Sequence, residues 1–115
     1  EMKKACDKDA STTCFVEGDK LIIDLGSERT ITSFHYLPDQ SEYNKGLISN
    51  YEIAVGLEEN AINTIVKQGE FSNIKHNPIL QSVYFTPINA RYILLKPTKM
   101  VNEGEQMGFA EIAIR

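Results

Sequence analysis

The sequence predicts an all-β fold, an antiparallel β-sandwich, and three observations lead to that prediction. Apolar-rich or alternating segments of roughly four to eight residues recur along the chain. Turn-forming residues separate these segments, and no window keeps the roughly 3.6-residue period of an amphipathic helix. The chain holds about seven such segments, which suits two packed sheets.

We predict strands at residues 20–25, 30–37, 50–56, 62–69, 80–86, 90–96 and 108–115. Alternation is clearest in the second of these strands, where Phe34 and Tyr36 share one face. Ser33 and His35 share the other face of the same strand. We therefore expect Phe34 and Tyr36 in the core and His35 on an exposed sheet face.

Turn signals separate the strands. The Gly-Ser-Glu segment at residues 26–28 predicts a tight connection between the first two strands, and the Pro-Ile-Asn segment at 87–89 predicts another. Four longer segments carry polar and aromatic side chains and are interpreted as loops. They are residues 7–16, 38–49, 72–78 and 99–107. A binding site on a sandwich usually lies on loops held by a rigid scaffold, so we expect it there.

The length of 115 residues suits one domain with a real core and is too short for two. We therefore predict that residues 1–115 form a single domain. The chain begins Glu-Met-Lys-Lys and lacks the apolar stretch of a secretion signal at its start. We interpret it as part of a larger multidomain protein whose targeting signal lies elsewhere.

The charge balance disfavours two classes of partner. The net charge is −4, whereas nucleic-acid binding depends on basic side chains that neutralise phosphates. Anionic membranes are disfavoured for the same reason, and no apolar run approaches the ~20 residues of a membrane-spanning helix. We expect neither a nucleic-acid partner nor membrane insertion.

The two cysteines, Cys6 and Cys14, leave two alternatives open. A zinc site is disfavoured because the chain has no CxxC motif and no paired histidines at zinc spacing. The cysteines are therefore either buried thiols or, in an exported protein, a short disulfide.

Several motifs occur in an order and spacing that are typical of one family. In chain order they are ACDKDASTTC at 5–14, LIIDLG at 21–26, ITSFHYLP at 31–38, ISNYEIAV at 48–55, ARYILL at 90–95 and FAEI at 109–112. Together they resemble the discoidin domain, or coagulation factor V/VIII type C domain, over nearly the whole chain. The family usually has a tryptophan at the position that Cys14 occupies here.

The resemblance implies a jelly-roll-like β-sandwich of about seven to eight strands, similar to galactose-binding domains and to carbohydrate-binding module family 32. Such domains are attached to bacterial glycoside hydrolases such as hexosaminidases (chitobiases) and fucosidases. The implied function is a carbohydrate-binding accessory module of a secreted, periplasmic or cell-surface enzyme. The alternative is a non-binding structural or protein-interaction module packed against the catalytic domain of the same chain.

The resemblance also implies a structural calcium ion, because similar modules hold one between their first loop and their closing strand. Carried over to this sequence, the side-chain ligands are Asp9, Thr12 and Glu111, which offer the oxygen atoms that calcium prefers. Without the resemblance, Asp9 also reads as a solvated turn residue and Glu111 as a surface strand residue.

A sugar site needs a flat aromatic ring for the apolar face of the sugar and a few fixed polar groups for its hydroxyls. The segment after the second predicted strand offers both, with Tyr43 to stack and neighbouring polar side chains to bond hydroxyls. The candidate site residues are Phe15, Asp39, Gln40, Tyr43, Asn44 and Gln106. The alternative is that these are ordinary polar surface loops.

The arginine positions bear on which sugar is bound. Galactose-binding relatives often use a loop arginine, whereas this chain has only Arg29 at a turn and Arg91 and Arg115 on predicted strands. We therefore consider a GlcNAc-containing glycan as well as a galactose-containing one.

Catalysis by this domain is not expected. A hydrolase needs a nucleophile beside a base, or two carboxylates facing each other across a cleft. The acidic pairs Glu58 and Glu59, and Glu103 and Glu105, read as solvated loop charges. We predict that the domain is non-catalytic and that a glycoside hydrolase domain elsewhere in the protein does the chemistry.

Overall fold

The computed structural model of the chain describes residues 13–17, 20–37, 47–71, 80–101 and 111–115, with the backbone alone at residues 13, 15–17 and 111. The strands are β1 (Thr13–Glu17), β2 (Lys20–Leu37), β3 (Ile48–Gly56), β4 (Thr64–Glu70), β5 (Gln81–Met100) and β6 (Glu111–Ile114). This confirms the predicted all-β class. The described residues contain no helix of the length and apolarity that a membrane crossing requires.

Two long strands, β2 and β5, form the central ladder of the sheet. All pairings are antiparallel in the order β1-β2-β5-β3-β4, and β6 pairs with the last residues of β2. The first half of β2 lies between β1 and the second half of β5. Its second half lies between β6 and the first half of β5. Each long strand therefore has different neighbours along its first and second halves.

The β2–β5 ladder is irregular at residues 25–28, where we predicted a connection between two separate strands. That prediction is wrong, because β2 continues through this point and its register with β5 shifts between Asp24 and Arg29. Gly26 has a φ of 85°, a left-handed conformation that glycine adopts at little steric cost. A bulge bends a strand without ending its pairing. The turn signal therefore marks a bend.

A group of polar contacts holds this bend, and we call its residues, Asp24, Gly26 and Arg91, the corner cluster. The Asp24 carboxylate accepts a hydrogen bond of 2.8 Å from the backbone N–H of Gly26. Arg91 donates to the same carboxylate from β5, with Nε 3.0 Å from Oδ1 and Nη2 3.3 Å from Oδ2. Both carboxylate oxygens thus accept hydrogen bonds, which tie β2 to β5 at the bend.

The second predicted connection, at residues 87–89, also lies inside a continuous strand. β5 runs through Pro87, and its register with β2 shifts between the pairs Ile31–Ile88 and Ser33–Tyr84. Proline has no backbone N–H to give to a ladder, so within sheets it is tolerated at bulges of this kind. The predicted pair of adjacent strands is therefore wrong, and the proline marks an irregularity in one strand.

Some predicted loop boundaries also need correction. The segment 7–16 was interpreted as loop, but β1 begins at Thr13 and its Cys14 pairs with Ile23. β3 begins at Ile48, within a segment interpreted as loop, and β5 ends at Met100. The β1 signal was present in the sequence, since Thr-Cys-Phe-Val is rich in residues that favour strands.

The predicted core positions Phe34 and Tyr36 are fully buried, as expected. The Tyr36 ring stacks on Phe71 with ring centres 5.1 Å apart, and Phe71 stacks on Tyr51 at 4.3 Å. These stacked rings join the second half of β2 to β3 across the interior, so the bent sheet closes on itself as the predicted sandwich. The largest other fully buried side chains are Leu21, Ile23, Leu25, Ile48, Ile53, Ile93, Leu95 and Ile112.

Cys14 lies in this core with none of its surface exposed and is disulfide-bonded. The sequence has one other cysteine, Cys6, which lies outside the described residues. The alternative of two buried thiols is therefore wrong for Cys14. The position at which the family usually has a tryptophan is a core position in this chain, and a disulfide sulfur lies there.

Candidate functional site

The loops that carry most of the predicted sugar-binding residues lie outside the described residues. Asp39, Gln40, Tyr43 and Asn44 belong to residues 38–46, and Gln106 belongs to residues 102–110. The structure does describe the residues on either side of these loops, and their contacts show where the loops join the sandwich.

The two loops join the sandwich side by side. Leu37, just before residues 38–46, is paired with Glu111, just after residues 102–110. At the other ends of the same loops, the Val101 N–H donates a 3.0 Å hydrogen bond to the Leu47 carbonyl oxygen. Each loop therefore begins next to the point where the other one ends. The structure therefore brings the ends of these two predicted loops together.

The described residues on either side of a third predicted loop, 72–78, lie in the same neighbourhood. Phe71 precedes this loop, and its N–H donates a 2.9 Å hydrogen bond to the Ser49 carbonyl oxygen near the start of β3. Gln81 follows the loop and pairs with Tyr36, whose ring stacks on Phe71. Because Tyr36 directly precedes Leu37, all three loops leave from one end of the sandwich, which we call the loop end.

Phe15 is not part of this arrangement in the way we predicted. It lies within β1 instead of in a loop, and its backbone pairs with Ile22. Ile22 pairs with Leu94 and Leu94 with Ala54, which places Phe15 in the row of Ala54 along β3. Ala54 is six residues from Ile48, or roughly 20 Å along a strand. Phe15 is therefore separated from the loop end.

Of the predicted calcium ligands, Asp9 and Thr12 lie outside the described residues, and Glu111 is described by its backbone as the first residue of β6. Thr12 directly precedes Thr13, which pairs with Asp24. Among the side chains that the structure does describe, no three His, Cys, Asp or Glu residues converge on a common point.

A further group of side chains, which the pattern of any one strand does not reveal as a group, lies on the outer face of β2, β5 and β6. We call it the sheet-face cluster, and it consists of Ser33, His35, Ser82, Tyr84 and Arg115. Strand pairing arranges these residues in two rows. In one row, Ser33 of β2 pairs with Tyr84 of β5 and forms backbone hydrogen bonds with Arg115. In the other row, His35 of β2 pairs with Ser82 of β5 and with Ala113 of β6. Paired residues of an antiparallel sheet point to the same face.

His35 is held between two hydroxyl groups in this cluster. Its Nε2 lies 2.8 Å from Ser33 Oγ, and its Nδ1 lies 2.8 Å from Ser82 Oγ. His35 lies on the face opposite Phe34 and Tyr36, as predicted, but it is half-buried instead of exposed. Burial, and secondarily the charge of Arg115, lower the pKa of His35 below its ordinary value. The ring is therefore neutral at neutral pH.

Tyr84 is the most exposed large hydrophobic side chain of the described residues, with 67% of its surface exposed. Its ring meets the His35 ring nearly at right angles, with the ring centres 6.0 Å apart. The sequence carried a signal for this position, because the alternation in Ser-Val-Tyr at residues 82–84 places Tyr84 opposite the buried Val83.

A family model for the F5/8 type C domain matches residues 3–113 of the chain. Among curated proteins, no relative matches it. The chain is similar to part of a glycoside hydrolase 29 family member from an unknown rumen bacterium, with 29% identity and a TM-score of 0.85 over 95% of this chain. It covers 19% of that longer chain, so it spans about one fifth of the length of this relative.

Two smaller structures from Clostridium perfringens share the fold. CpGH89CBM32-5, in complex with GalNAc-β-1,3-galactose, is 23% identical with a TM-score of 0.72, over 83% of this chain and 63% of that one. The family 32 carbohydrate-binding module of NanJ, in complex with galactose, is 23% identical with a TM-score of 0.69, over 97% of this chain and 87% of that one.

Proposed function

Because the chain belongs to the F5/8 type C (discoidin) domain family, we propose that it is the glycan-binding accessory module of a secreted glycoside hydrolase. The domain itself is non-catalytic, and its ligand site lies at the loop end. One observation carries the proposal for this chain: the attachment points of the three polar loops converge at one end of the sandwich.

The loop residues at this end have the chemistry that a shallow sugar site needs. Tyr43 offers a flat ring for the apolar face of a pyranose, and Asp39, Gln40, Asn44 and Gln106 offer hydrogen-bonding groups for its hydroxyls. Phe15 is no longer part of this proposal, because it lies in β1 away from these loops. Binding by one such site would be weak, and its use is to keep a tethered enzyme near a polymeric substrate.

The ligand of this site is a galactose- or GlcNAc-containing glycan. Related modules were solved with galactose and with GalNAc-β-1,3-galactose, which supports a sugar of this class. The partner within the same protein is a glycoside hydrolase domain of the fucosidase or hexosaminidase type. The similarity to one fifth of a glycoside hydrolase 29 family member supports this partnership.

The first test is a titration of the domain with galactose, GlcNAc and GalNAc-β-1,3-galactose by calorimetry and NMR. We expect one of these sugars to bind, and we expect Tyr43→Ala to weaken that binding about fivefold, because a ring stack contributes about 1 kcal/mol. Tyr43→Phe keeps the ring and should retain most of the affinity. Equal affinity of Tyr43→Ala and the unchanged domain would contradict the assignment of the loop end.

Export of the parent protein to the periplasm, the cell surface or the medium is part of the proposal. The disulfide at Cys14 supports it, because disulfides persist in oxidising compartments and are rare in the cytosol. Treatment of the folded domain with a strong reductant should lower its melting temperature, since removal of a native disulfide from a small domain costs about 2–5 kcal/mol. An unchanged melting temperature after verified reduction would remove this support.

A structural calcium ion is a separate proposal, supported by the chemistry of the donor set. Asp9, Thr12 and Glu111 offer hard oxygen ligands. A bound ion would tie the segment before β1 to the start of β6 and stabilise the fold without taking part in chemistry. We expect a chelator to lower the melting temperature and added calcium to restore it, with a smaller response in Glu111→Gln. No response to the chelator would rule the ion out.

The second candidate function is a module that packs against a neighbouring domain and binds no sugar. Exposed apolar side chains at Leu57 and Ile65, near the connection between β3 and β4, favour it, since about half of each is exposed. The absence of binding to any sugar across a broad glycan array would favour this candidate over the first.

A further inference from the structure

The sheet-face cluster lies on a strand surface, apart from the loops of the proposed function, and has the parts of a second binding surface. We propose that it binds a pyranose ring that carries a carboxylate, such as a uronic acid residue of an acidic glycan. The ring stacks on Tyr84, hydroxyl groups bond Ser82, and the carboxylate faces Arg115. This site goes beyond the loop-end site and does not depend on it.

The stacking surface is the Tyr84 ring. With 67% of its surface in water, the Tyr84 side chain leaves most of its ring accessible to a ligand. The perpendicular contact with His35, at 6.0 Å between ring centres, restricts the directions in which the ring can turn. A ring that is already oriented loses little conformational entropy on binding, so it is suited to a shallow site.

The polar part of the surface is fixed by His35. A neutral imidazole has one N–H donor and one acceptor nitrogen, so it donates to one of its two serines and accepts from the other. If Nδ1 donates to Ser82, the Ser82 hydroxyl proton is directed elsewhere; if Nδ1 accepts, the Ser82 oxygen keeps its lone pairs. In both cases Ser82 can form a further hydrogen bond.

The spacing of these groups suits one sugar ring. Ser82 and Tyr84 are two residues apart on one strand and face the same side, roughly 7 Å apart. Ser33 is flanked by Tyr84 on one side and by Arg115 on the other, so Tyr84 and Arg115 are separated by two strand spacings, roughly 10 Å. Long side chains at both positions can reach the opposite edges of a pyranose.

Charge selects the kind of sugar. The chain as a whole has a net charge of −4, yet the basic side chain of the sheet-face cluster, that of Arg115, is exposed. The effect of Arg115 on the pKa of His35 shows that its field reaches the cluster. An exposed guanidinium beside an exposed ring favours a sugar with a carboxylate over its neutral counterpart.

The test is an NMR titration of residues 1–115, amidated at the C-terminus so that Arg115 carries no carboxylate. The ligands are methyl β-D-glucuronoside and, in parallel, methyl β-D-glucoside, which has a hydroxymethyl group in place of the carboxylate. We expect saturable shifts at the amides of Ser82, Tyr84, His35 and Arg115, with tighter binding of the glucuronoside. Tyr84→Ala should weaken binding at least about tenfold, and Tyr84→Phe should retain it within about twofold. Arg115→Gln should remove the preference for the glucuronoside.

Control variants separate this site from the loop site and from loss of folding. Ile65→Ala removes another large exposed hydrophobic side chain, from β4, and should leave glucuronoside binding unchanged. Tyr43→Ala should leave the sheet-face shifts unchanged even if it abolishes galactose binding at the loop end. An unchanged melting temperature of Tyr84→Ala verifies that the variant folds.

Three results would overturn the proposal. They are no saturable shifts on β2, β5 and β6 with glucuronoside in the tens of millimolar, equal affinity of Tyr84→Ala and the unchanged chain, or equal affinity for glucuronoside and glucoside. Each of these outcomes is independent of whether the loop end binds galactose, so failure here leaves the proposed function to its own test.

Discussion

The corner cluster and the sheet-face cluster lie on the same two strands, β2 and β5, yet their polar groups are used differently. In the corner cluster the Asp24 carboxylate accepts hydrogen bonds from the Gly26 N–H and from Arg91. The negative charge of Asp24 is therefore paired with the positive charge of Arg91. In the sheet-face cluster His35 fixes two hydroxyls, while the exposed Tyr84 ring and the charge of Arg115 face solvent. The corner cluster therefore stabilises the fold, whereas the sheet-face cluster leaves the Tyr84 ring and the Arg115 side chain accessible to a ligand.

Among changes in these two clusters, the largest effect on stability should come from Gly26→Ala in the corner cluster. A Cβ at a φ of 85° costs about 1–2 kcal/mol, because L-residues crowd the following carbonyl in this conformation. Urea unfolding should show this loss. The matched control is Gly69→Ala in β4, where a new Cβ meets the Tyr51 hydroxyl at an ordinary 3.7 Å and should be tolerated. Equal effects of the two changes would contradict the role of the corner.

Removal of the carboxylate should have the next largest effect. Asp24→Ala leaves the Gly26 N–H without its acceptor, which should cost about 1 kcal/mol. The ion pair with Arg91 is partly solvent-exposed, with 41% of the Arg91 side chain and 24% of the Asp24 side chain exposed, and should add less than about 1 kcal/mol. Asp24→Asn keeps an acceptor for Gly26 and should lose less, as measured by urea unfolding. A larger loss for Arg91→Gln than for Asp24→Ala would show that the ion pair dominates instead.

Mild acid should weaken the sheet-face cluster. The pKa of His35 is lowered below 6.5 by burial first and by Arg115 second, so the unfolded chain binds this proton more readily than the folded one. The contribution of neutral His35 to the free energy of unfolding is therefore fully present above about pH 6.5. It is lost as the pH falls through the lowered pKa. Melting temperatures of the unchanged domain should fall more than those of His35→Gln over this range. Parallel curves would contradict this assignment.

The smallest effect on stability should come from Tyr84→Ala. Its side chain is mostly in water, and surface substitutions usually change the free energy of unfolding by less than about 0.5 kcal/mol. A loss above about 1.5 kcal/mol would mean that Tyr84 contributes to folding, and the cluster would then resemble the corner. Urea unfolding of Tyr84→Ala beside Gly26→Ala gives the direct comparison.

Most of the fold was predictable from the sequence because strand periodicity is local. The burial of Phe34 and Tyr36 follows from alternation along one strand, and the ends of β3 and β4 were predicted within two residues. The errors at residues 26–28 and 87–89 have one cause. Glycine and proline signal a local departure from regular backbone, but whether the partner strand continues past that departure depends on residues far away in sequence.

For the candidate site, the sequence predicted which kinds of side chain are available better than it predicted where they lie. Tyr43 and Gln106 were chosen for their side chains, and only the pairing of Leu37 with Glu111 and the Val101–Leu47 hydrogen bond show that their loops join the sandwich together. Phe15 was misplaced although residues 13–16 favour a strand, because so short a run is hard to identify as a strand until its partner is known. The sheet-face cluster combines three strands, so no single segment revealed it.

By itself, the sequence determined the all-β class, the inward faces of the strands and the kinds of side chain available for binding, because these depend on neighbours along the chain. The tertiary structure decided that two long bent strands replace four short ones. It also decided which loops share an end, and that Tyr84 and Arg115 lie on either side of Ser33. These depend on strand register, which hydrogen bonds between distant segments set.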